Sequence, residues 1–345
     1  MSEPADTPAP GSMIGRRIGS YEIESRLAAG GMGEVFKARH VLLDRPAAIK
    51  IMHVHMAQDP TFQSRFRREA RAVAALRHPH IVEVFDFDEA DDYAYLVMEL
   101  ITGGTFRELL RYGIARDPNW SLARGLDLIR QAADALAYAH ALGMVHRDIK
   151  PENLLLQSSS PGTPLAVKVG DFGLARVTEV DASVATQAGM AMGTLAYMAP
   201  EQASGKDLDA RADIYALGVV LYELATGELP FQIKTITEAV FKHNFTPPPP
   251  PRSKRPELPE SVEGLILRCL AKLPDERFAS AADLSAALRE VLGADLPDIA
   301  SVILAPSLGT QIGTQVQSGI GRPAPEARSL IGPTSLPRIQ VLDES

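Results

Sequence analysis

Cysteine is almost missing from this chain: Cys269 stands alone among 345 residues. No internal disulfide can form, so a small stapled secreted scaffold is excluded and a reducing, cytoplasmic address is expected. Long apolar runs are missing too. None approaches the ~18–20 residues that cross a bilayer, and Met1–Gly11 carries no basic-then-apolar signal pattern. Positive charge is in deficit. With 35 Lys+Arg against 43 Asp+Glu the net charge is -8, and no nucleic-acid partner is expected. Aromatic residues make up only 6% of the chain, and residues 296–345 contain none. What remains is ordinary for a globular protein, 46% hydrophobic and 23% charged. The length predicts about two domains or lobes. No internal repeat is visible.

The chain divides by pattern. Residues 1–19 carry Pro, Gly and Ser without periodicity and read as a flexible leader. From Tyr21 to about Leu100 the pattern is mostly strand-like, with runs at Val35–Ala38, Ala47–Lys50, Ile81–Val84 and Tyr95–Met98. One helix, roughly 61–77, interrupts them. From about 104 to 293 the pattern is mostly helical. Ser121 and Gly143 bound a helix over Ser121–Leu142. Residues 208–225 are apolar on nearly every face and predict a helix buried all round. The prolines at 247–251 predict a stiff, extended surface connection. Residues 294–345, rich in Pro, Gly, Ser and Thr, read as a disordered tail.

Several blocks carry chemistry. Gly30-Gly31-Met32-Gly33 lies between strand-like flanks. Glycine turns tightly and lets backbone amides approach a phosphate, although a plain glycine hairpin has the same composition. Lys50 closes the apolar strand Ala47-Ala48-Ile49, and a lysine pointing inward needs a negative partner. On the helix at 61–77, Phe62, Phe66, Val73 and Leu76 form one stripe with Glu69 in its middle. Arg65, Arg67, Arg68 and Arg71 lie off its centre. A carboxylate centred on an apolar face is costly unless paired, and Lys50 is the nearest sensible partner. The alternative is that Glu69 snorkels to the edge. The densest block is His146-Arg147-Asp148-Ile149-Lys150-Pro151-Glu152-Asn153, which concentrates a candidate base, a cation and an amide ligand. Asp171-Phe172-Gly173 follows, and then Gly193-Thr194-Leu195-Ala196-Tyr197-Met198-Ala199-Pro200-Glu201.

In this order, from about Tyr21 to Leu292, these blocks resemble the signature set of eukaryotic-like protein kinases. The phrases Gly30-Gly31-Met32-Gly33, His78-Pro79-His80-Ile81-Val82 and Ala199-Pro200-Glu201-Gln202 resemble bacterial serine/threonine kinases in particular. The resemblance implies an α+β, bilobal protein-kinase fold in a domain over 20–293. Its small, mostly β N-lobe with one key helix covers about 20–101, and a larger, mostly α C-lobe covers about 102–293. It implies transfer of the γ-phosphate of ATP, with Mg²⁺ or Mn²⁺, to Ser/Thr hydroxyls of protein substrates. Lys150 and Thr194 resemble the serine/threonine class rather than the tyrosine class. A catalytically silent nucleotide-binding scaffold is the alternative reading. It is disfavoured because Lys50, Asp148 and Asp171 are all present.

The same resemblance implies individual roles. Ala28, Ala29, Gly30, Gly31, Met32 and Gly33 cover the phosphates, and Leu27, Val35 and Ala48 flank the nucleotide. Lys50 holds the α- and β-phosphates and Glu69 holds Lys50. Asp148 accepts the substrate hydroxyl proton, Lys150 steadies the γ-phosphate, and Asn153 and Asp171 hold Mg²⁺. Met98 backs the adenine pocket, and Glu99 to Ile101 form the hinge. Asp213 accepts backbone amides of the catalytic loop, Glu201 and Arg277 clamp the larger lobe, and Val73, Val84, His146 and Phe172 form a column between the lobes. Ala28 departs from the family by replacing its first loop glycine.

Regulation is expected between Asp171 and Glu201. Arg147 reads as an uncompensated cation beside the catalytic loop, which a phosphate on that segment neutralises. Thr178, Ser183 and Thr186 are candidates, and the resemblance favours Thr186, eight residues before Thr194, where related bacterial kinases carry a regulatory threonine. A homodimer through the N-lobe is implied by the resemblance. Residues 183–189, Ser-Val-Ala-Thr-Gln-Ala-Gly, echo residues 307–313, Ser-Leu-Gly-Thr-Gln-Ile-Gly. Thr310 and Thr314 are therefore candidate autophosphorylation sites that a phosphothreonine-reading partner docks on.

Overall fold

The computed structural model describes residues 13–30, 33–52, 60–90, 93–113, 120–157, 166–172 and 194–294. Gly31, Met32, Gly173, Gly193, the candidate sites Thr178, Ser183, Thr186, Thr310 and Thr314, the first twelve residues and the tail beyond 294 lie outside them.

The N-terminal part is a curled antiparallel sheet. Its strands are β1 (Arg17–Ile18), β2 (Tyr21–Gly30), β3 (Gly33–His40), β4 (Pro46–Met52), β5 (Val84–Ala90) and β6 (Tyr93–Met98), in the order β1-β2-β3-β4-β6-β5. Side chains alternate across it. Ala47, Ile49 and Ile51 of β4 join Ile23, Phe36 and Val97 in one apolar cluster. Ala48 and Met52 face the other way, into a cluster with Phe66, Ala70 and Val73 of helix α1 (Pro60–Ala74).

Two expected boundaries shift. Helix α1 stops at Ala74 instead of 77, because Arg77 Nη1 donates to the Ala74 and Leu76 carbonyls and Pro79 follows. The expected strand at Ile81–Val84 instead makes a crossing: Ile81 bridges Val169 and the Val82 amide donates to the Val169 carbonyl. The strand proper begins at Val84.

The larger part is mostly helical: α2 (Leu122–Ala141), α3 (Pro200–Ala203), α4 (Arg211–Thr226), α5 (Ile236–Phe245), α6 (Pro251–Lys254), α7 (Glu260–Cys269) and α8 (Ala281–Gly293). Ser121 accepts the Arg124 amide at the start of α2, and Gly143 past its end has φ 76°. Helix α4 is buried on nearly every face, as its composition predicts. It begins at 211 rather than 208, where Asp209 accepts the Arg211 amide. Gly218 is required there, because a Cβ on it would lie 2.4 Å from Cys269 Cβ. The proline run is extended over 247–250, but Pro251 opens α6; a proline at the first helical position costs no hydrogen bond. The helical expectation missed one hairpin, β7 (Leu154–Gln157) with β8 (Ala166–Val169). Four-residue apolar runs do not distinguish a strand from a buried helical turn.

Candidate active site

Strand register builds one wall of the site. Cross-strand pairs Val35↔Lys50, Lys50↔Leu96 and Ala48↔Met98 place these five residues on one face. Gly33 lies at the start of β3, where a Cβ would come within 2.0 Å of the Ile51 carbonyl oxygen. The chain tolerates only glycine at that close approach. Lys50 has a side chain 9% exposed, and its Nζ lies 2.9 Å from Asp171 Oδ2. Burial acts to raise the Asp171 carboxyl pKa. The charge and hydrogen bond of Lys50, with His146 and Lys150 nearby, outweigh it and hold that carboxyl below the ordinary range.

The expected Lys50–Glu69 pair is not among the ion pairs of the described residues. Glu69 is buried, as its central position on the stripe predicts, but its Oε1 takes Arg68 Nη2 at 3.0 Å. Asp171 presents its carboxylate to the Lys50 ammonium, and Glu69 lies against the neighbouring guanidinium instead.

Asp148 lies on the loop between α2 and β7. Its Oδ2 accepts Lys150 Nζ at 2.7 Å and Asn153 Nδ2 at 3.1 Å, and Asn153 Nδ2 also bonds the Asp148 carbonyl at 2.7 Å. The turn Pro151–Asn153 brings these groups together across five positions. Asp213, from buried α4, accepts the His146 and Arg147 amides at 2.8 and 2.7 Å. His146 Nε2 donates to the Gly170 carbonyl at 2.8 Å, and its ring lies 4.6 Å from that of Phe172. Val73, Val84 and Phe172 share one apolar cluster, consistent with a structural His146. Arg147 has an interaction partner, and its carbonyl accepts Gln202 Nε2 at 3.0 Å. Beneath the catalytic loop, Asp148, Ile149, Tyr197, Met198, Gln202 and Asp213 surround a space of only about 10 Å³, so the segment Tyr197–Met198 packs directly against the loop that carries the candidate base.

Two participants escaped the sequence reading. His140 Nε2 donates to Asp213 Oδ2 at 2.8 Å, a contact that separate helices make. Arg107 bonds Glu152 at 2.9 Å, Glu223 at 2.5 Å and the Tyr197 hydroxyl, and Tyr197 Oη donates to Glu223 Oε2 at 2.5 Å. Burial works against the Arg107 charge, and these acceptors outweigh it. Only the cluster of Glu152 beside the catalytic block gave any signal. Glu201 and Arg277 do pair, with bonds of 2.7 and 2.8 Å between two buried side chains. Met98 is buried at the wall, and Glu99 Oε2 pairs with Lys168 at 2.8 Å.

Comparison with known proteins agrees with this geometry. The protein kinase domain family matches residues 21–288. The chain is 40% identical over 282 residues to the serine/threonine-protein kinase Pkn1 of Myxococcus xanthus, covering 81% of this chain and 39% of that protein. It is 38% identical over 287 residues to the serine/threonine-protein kinase PknB of Mycolicibacterium smegmatis, covering 82% and 44%. The chain thus spans about two fifths of the length of these relatives. Among solved structures, the PknI kinase domain of Mycobacterium tuberculosis matches with a TM-score of 0.61 at 29% identity, covering 80% of this chain and 98% of that one. Among the described residues, no helix is long and apolar enough to cross a membrane.

Proposed function

The chain belongs to the protein kinase domain family, and on that premise we propose that it is a protein serine/threonine kinase using ATP and Mg²⁺. The observation that carries this reading is the convergence of Asp148, Lys150 and Asn153 on one loop, beside an Asp171 carboxylate already bound to Lys50. The site fits a hard cation held with phosphates. Among the described residues no three His, Cys, Asp or Glu side chains form a metal cage, but Asn153 and Asp171 offer oxygen ligands that leave room for phosphate oxygens. Mg²⁺ and ATP, when bound, supply charge neutralisation and the phosphoryl group.

The chain's own residues do the rest. Lys50 holds the α- and β-phosphates, and Gly33, packed against β4 at Ile51, anchors the end of the glycine-rich turn that covers them. Val35, Ala48 and Met98 flank the base from the sheet face, and the segment Glu99–Ile101 offers backbone groups to its edge. Asp148 orients the acceptor hydroxyl and takes its proton at Oδ1, the carboxylate oxygen that Lys150 and Asn153 do not occupy, while Lys150 balances charge on the γ-phosphate. Thr186 in this chain, and Thr310 and Thr314 in the tail, are proposed as autophosphorylation sites. The dimer through the smaller lobe that the resemblance implies is proposed to use Leu42 and Leu43, 84% and 70% exposed at the turn after β3.

The test is phosphate transfer from labelled ATP to myelin basic protein. Asp148→Asn is expected to lower turnover by about 10²–10⁴-fold while nucleotide binding stays near wild type. Lys50→Met is expected to weaken nucleotide binding as well, and the double variant to fall short of the product of the two. Near wild-type transfer by Asp148→Asn overturns the assignment of the base.

A further inference from the structure

His243 lies on α5, far along the chain from every catalytic block, yet it is 0% exposed. Its Nε2 is 2.9 Å from the Leu195 carbonyl oxygen, and its Nδ1 is 2.9 Å from Tyr215 Oη. A carbonyl only accepts, so Nε2 carries the proton and Nδ1 accepts from the tyrosine hydroxyl. The tautomer is therefore set by two fixed partners from different elements. Tyr215 belongs to buried α4, and the Phe231 ring stands edge-on to the imidazole at 5.4 Å. Lys272 Nζ donates to the His243 and Lys242 carbonyls at 2.7 and 3.2 Å, which pins the end of α5. Burial lowers the His243 pKa to about 4; the Leu195 bond opposes this and Lys272 adds to it. The ring is neutral near pH 7 and keeps Nε2–H available.

Leu195 is itself buried, in the turn Thr194–Tyr197. Tyr197 and Met198, just after it, pack with Asp148 around the small space under the catalytic loop. On the kinase reading, the acceptor hydroxyl comes to Asp148 along the wall that this segment forms. One end of the wall is held by Tyr197 Oη on Glu223. The other end is held by His243. Without that ring donor, the Leu195 carbonyl is a buried acceptor with a lost partner, and the turn relaxes to satisfy it.

We propose that His243 is a positioning residue for the protein acceptor, holding the segment Leu195–Met198 in register beside Asp148. This rests on the kinase reading above. It distinguishes His243 from the groups that bind nucleotide, which lie on the sheet face and the Asp148 loop. A side chain that only filled space would be replaced as well by leucine as by glutamine, whereas a donor to Leu195 is not.

The experiment compares His243→Leu, His243→Gln and Tyr215→Phe with wild type. The readouts are KM for myelin basic protein, affinity for ATP by titration, the thermal midpoint, and amide hydrogen exchange over 195–199. His243→Leu is expected to raise the acceptor KM about tenfold, as loss of one buried hydrogen bond allows, with ATP affinity within about twofold. His243→Gln keeps a side-chain N–H donor and is expected to recover most of the acceptor KM. Tyr215→Phe, which keeps the packing, is expected to raise it about two- to threefold. Exchange over 195–199 is expected to quicken in His243→Leu and return toward wild type in His243→Gln. An unchanged acceptor KM in His243→Leu overturns the proposal. So does a Gln variant no better than Leu, or a loss of ATP affinity in step with acceptor KM. If the wild-type chain transfers no phosphate, the kinase reading fails instead, and exchange over 195–199 still decides whether His243 holds that segment.

Discussion

Asp213 Oδ1 accepts the Arg147 amide at 2.7 Å and holds that residue in the left-handed region, at φ 68°. Such a conformation costs a non-glycine residue on the order of 1 kcal/mol or more, so the carboxylate sustains the loop against a local strain. Oδ2 adds the His146 amide and the His140 ring. The candidate base is therefore placed from beneath, by a buried side chain of α4.

Asp213→Ala strips an acceptor from three donors, one buried and two partly buried. We expect a loss of about 3–5 kcal/mol in denaturant unfolding, and phosphate transfer reduced more than nucleotide binding. An unfolding midpoint equal to wild type contradicts this account of the loop.

The Glu201–Arg277 pair is buried on both sides, and the guanidinium also donates to the Ala271, Arg211 and Lys272 carbonyls. Removing one partner of such a pair leaves a charge stranded in low dielectric. Glu201→Gln should therefore cost about 3–5 kcal/mol, measured by chemical denaturation, and it should do so with little dependence on salt. A surface pair such as Arg252–Glu260 is expected to contribute under about 1 kcal/mol when either partner is replaced by alanine.

Gly218 lets α4 touch α7 at Cys269. A methyl group there meets Cys269 Cβ at 2.4 Å, so Gly218→Ala should destabilise by about 1–3 kcal/mol through overpacking. Combining it with Cys269→Gly should recover part of the loss, which a calorimetric midpoint for the double variant checks.

The burial of His243 sets a pH dependence. Its pKa is about 4 against an ordinary 6.5. Between those values the unfolded chain binds more protons than the native one, so stability rises with pH across the window and is lost as pH falls from 6.5 to 4. The full effect is on the order of 3 kcal/mol. The groups facing the ring are Tyr215, Phe231 and Lys272. Lys272, lowered to about 8 by burial and by Arg277, stays charged throughout this window, and Tyr215, pushed up by burial, stays neutral. His243→Gln should flatten the difference in unfolding free energy between pH 6.5 and 4. An identical slope in both proteins refutes the assignment.

Much of the fold was legible before any coordinates. Ser121 and Gly143 bounded α2 because capping is local chemistry, decided by a side chain and a backbone angle within a few residues. The all-round apolar character of α4 announced its burial for the same reason. The β7–β8 hairpin was missed because short apolar runs carry no period, and its pairing depends on partners nine to fifteen residues away. Pro251 opened a helix because the residues after it, not the proline run, determine whether a turn can close.

By itself the sequence determined which groups are available: Lys50, Asp148, Lys150, Asn153 and Asp171, in an order and spacing that resembles one family. Tertiary structure alone decided who partners whom. Glu69 sits buried on its helix face as the pattern required, yet Arg68 holds it and Asp171 holds Lys50. Arg107 joins Glu152, Glu223 and Tyr197, and His243 reaches Leu195, across segments that share no local pattern. The physical reason is range. Propensity and amphipathic period act over a few residues, whereas a buried charge or donor selects its partner from whatever the whole fold brings within about 3 Å.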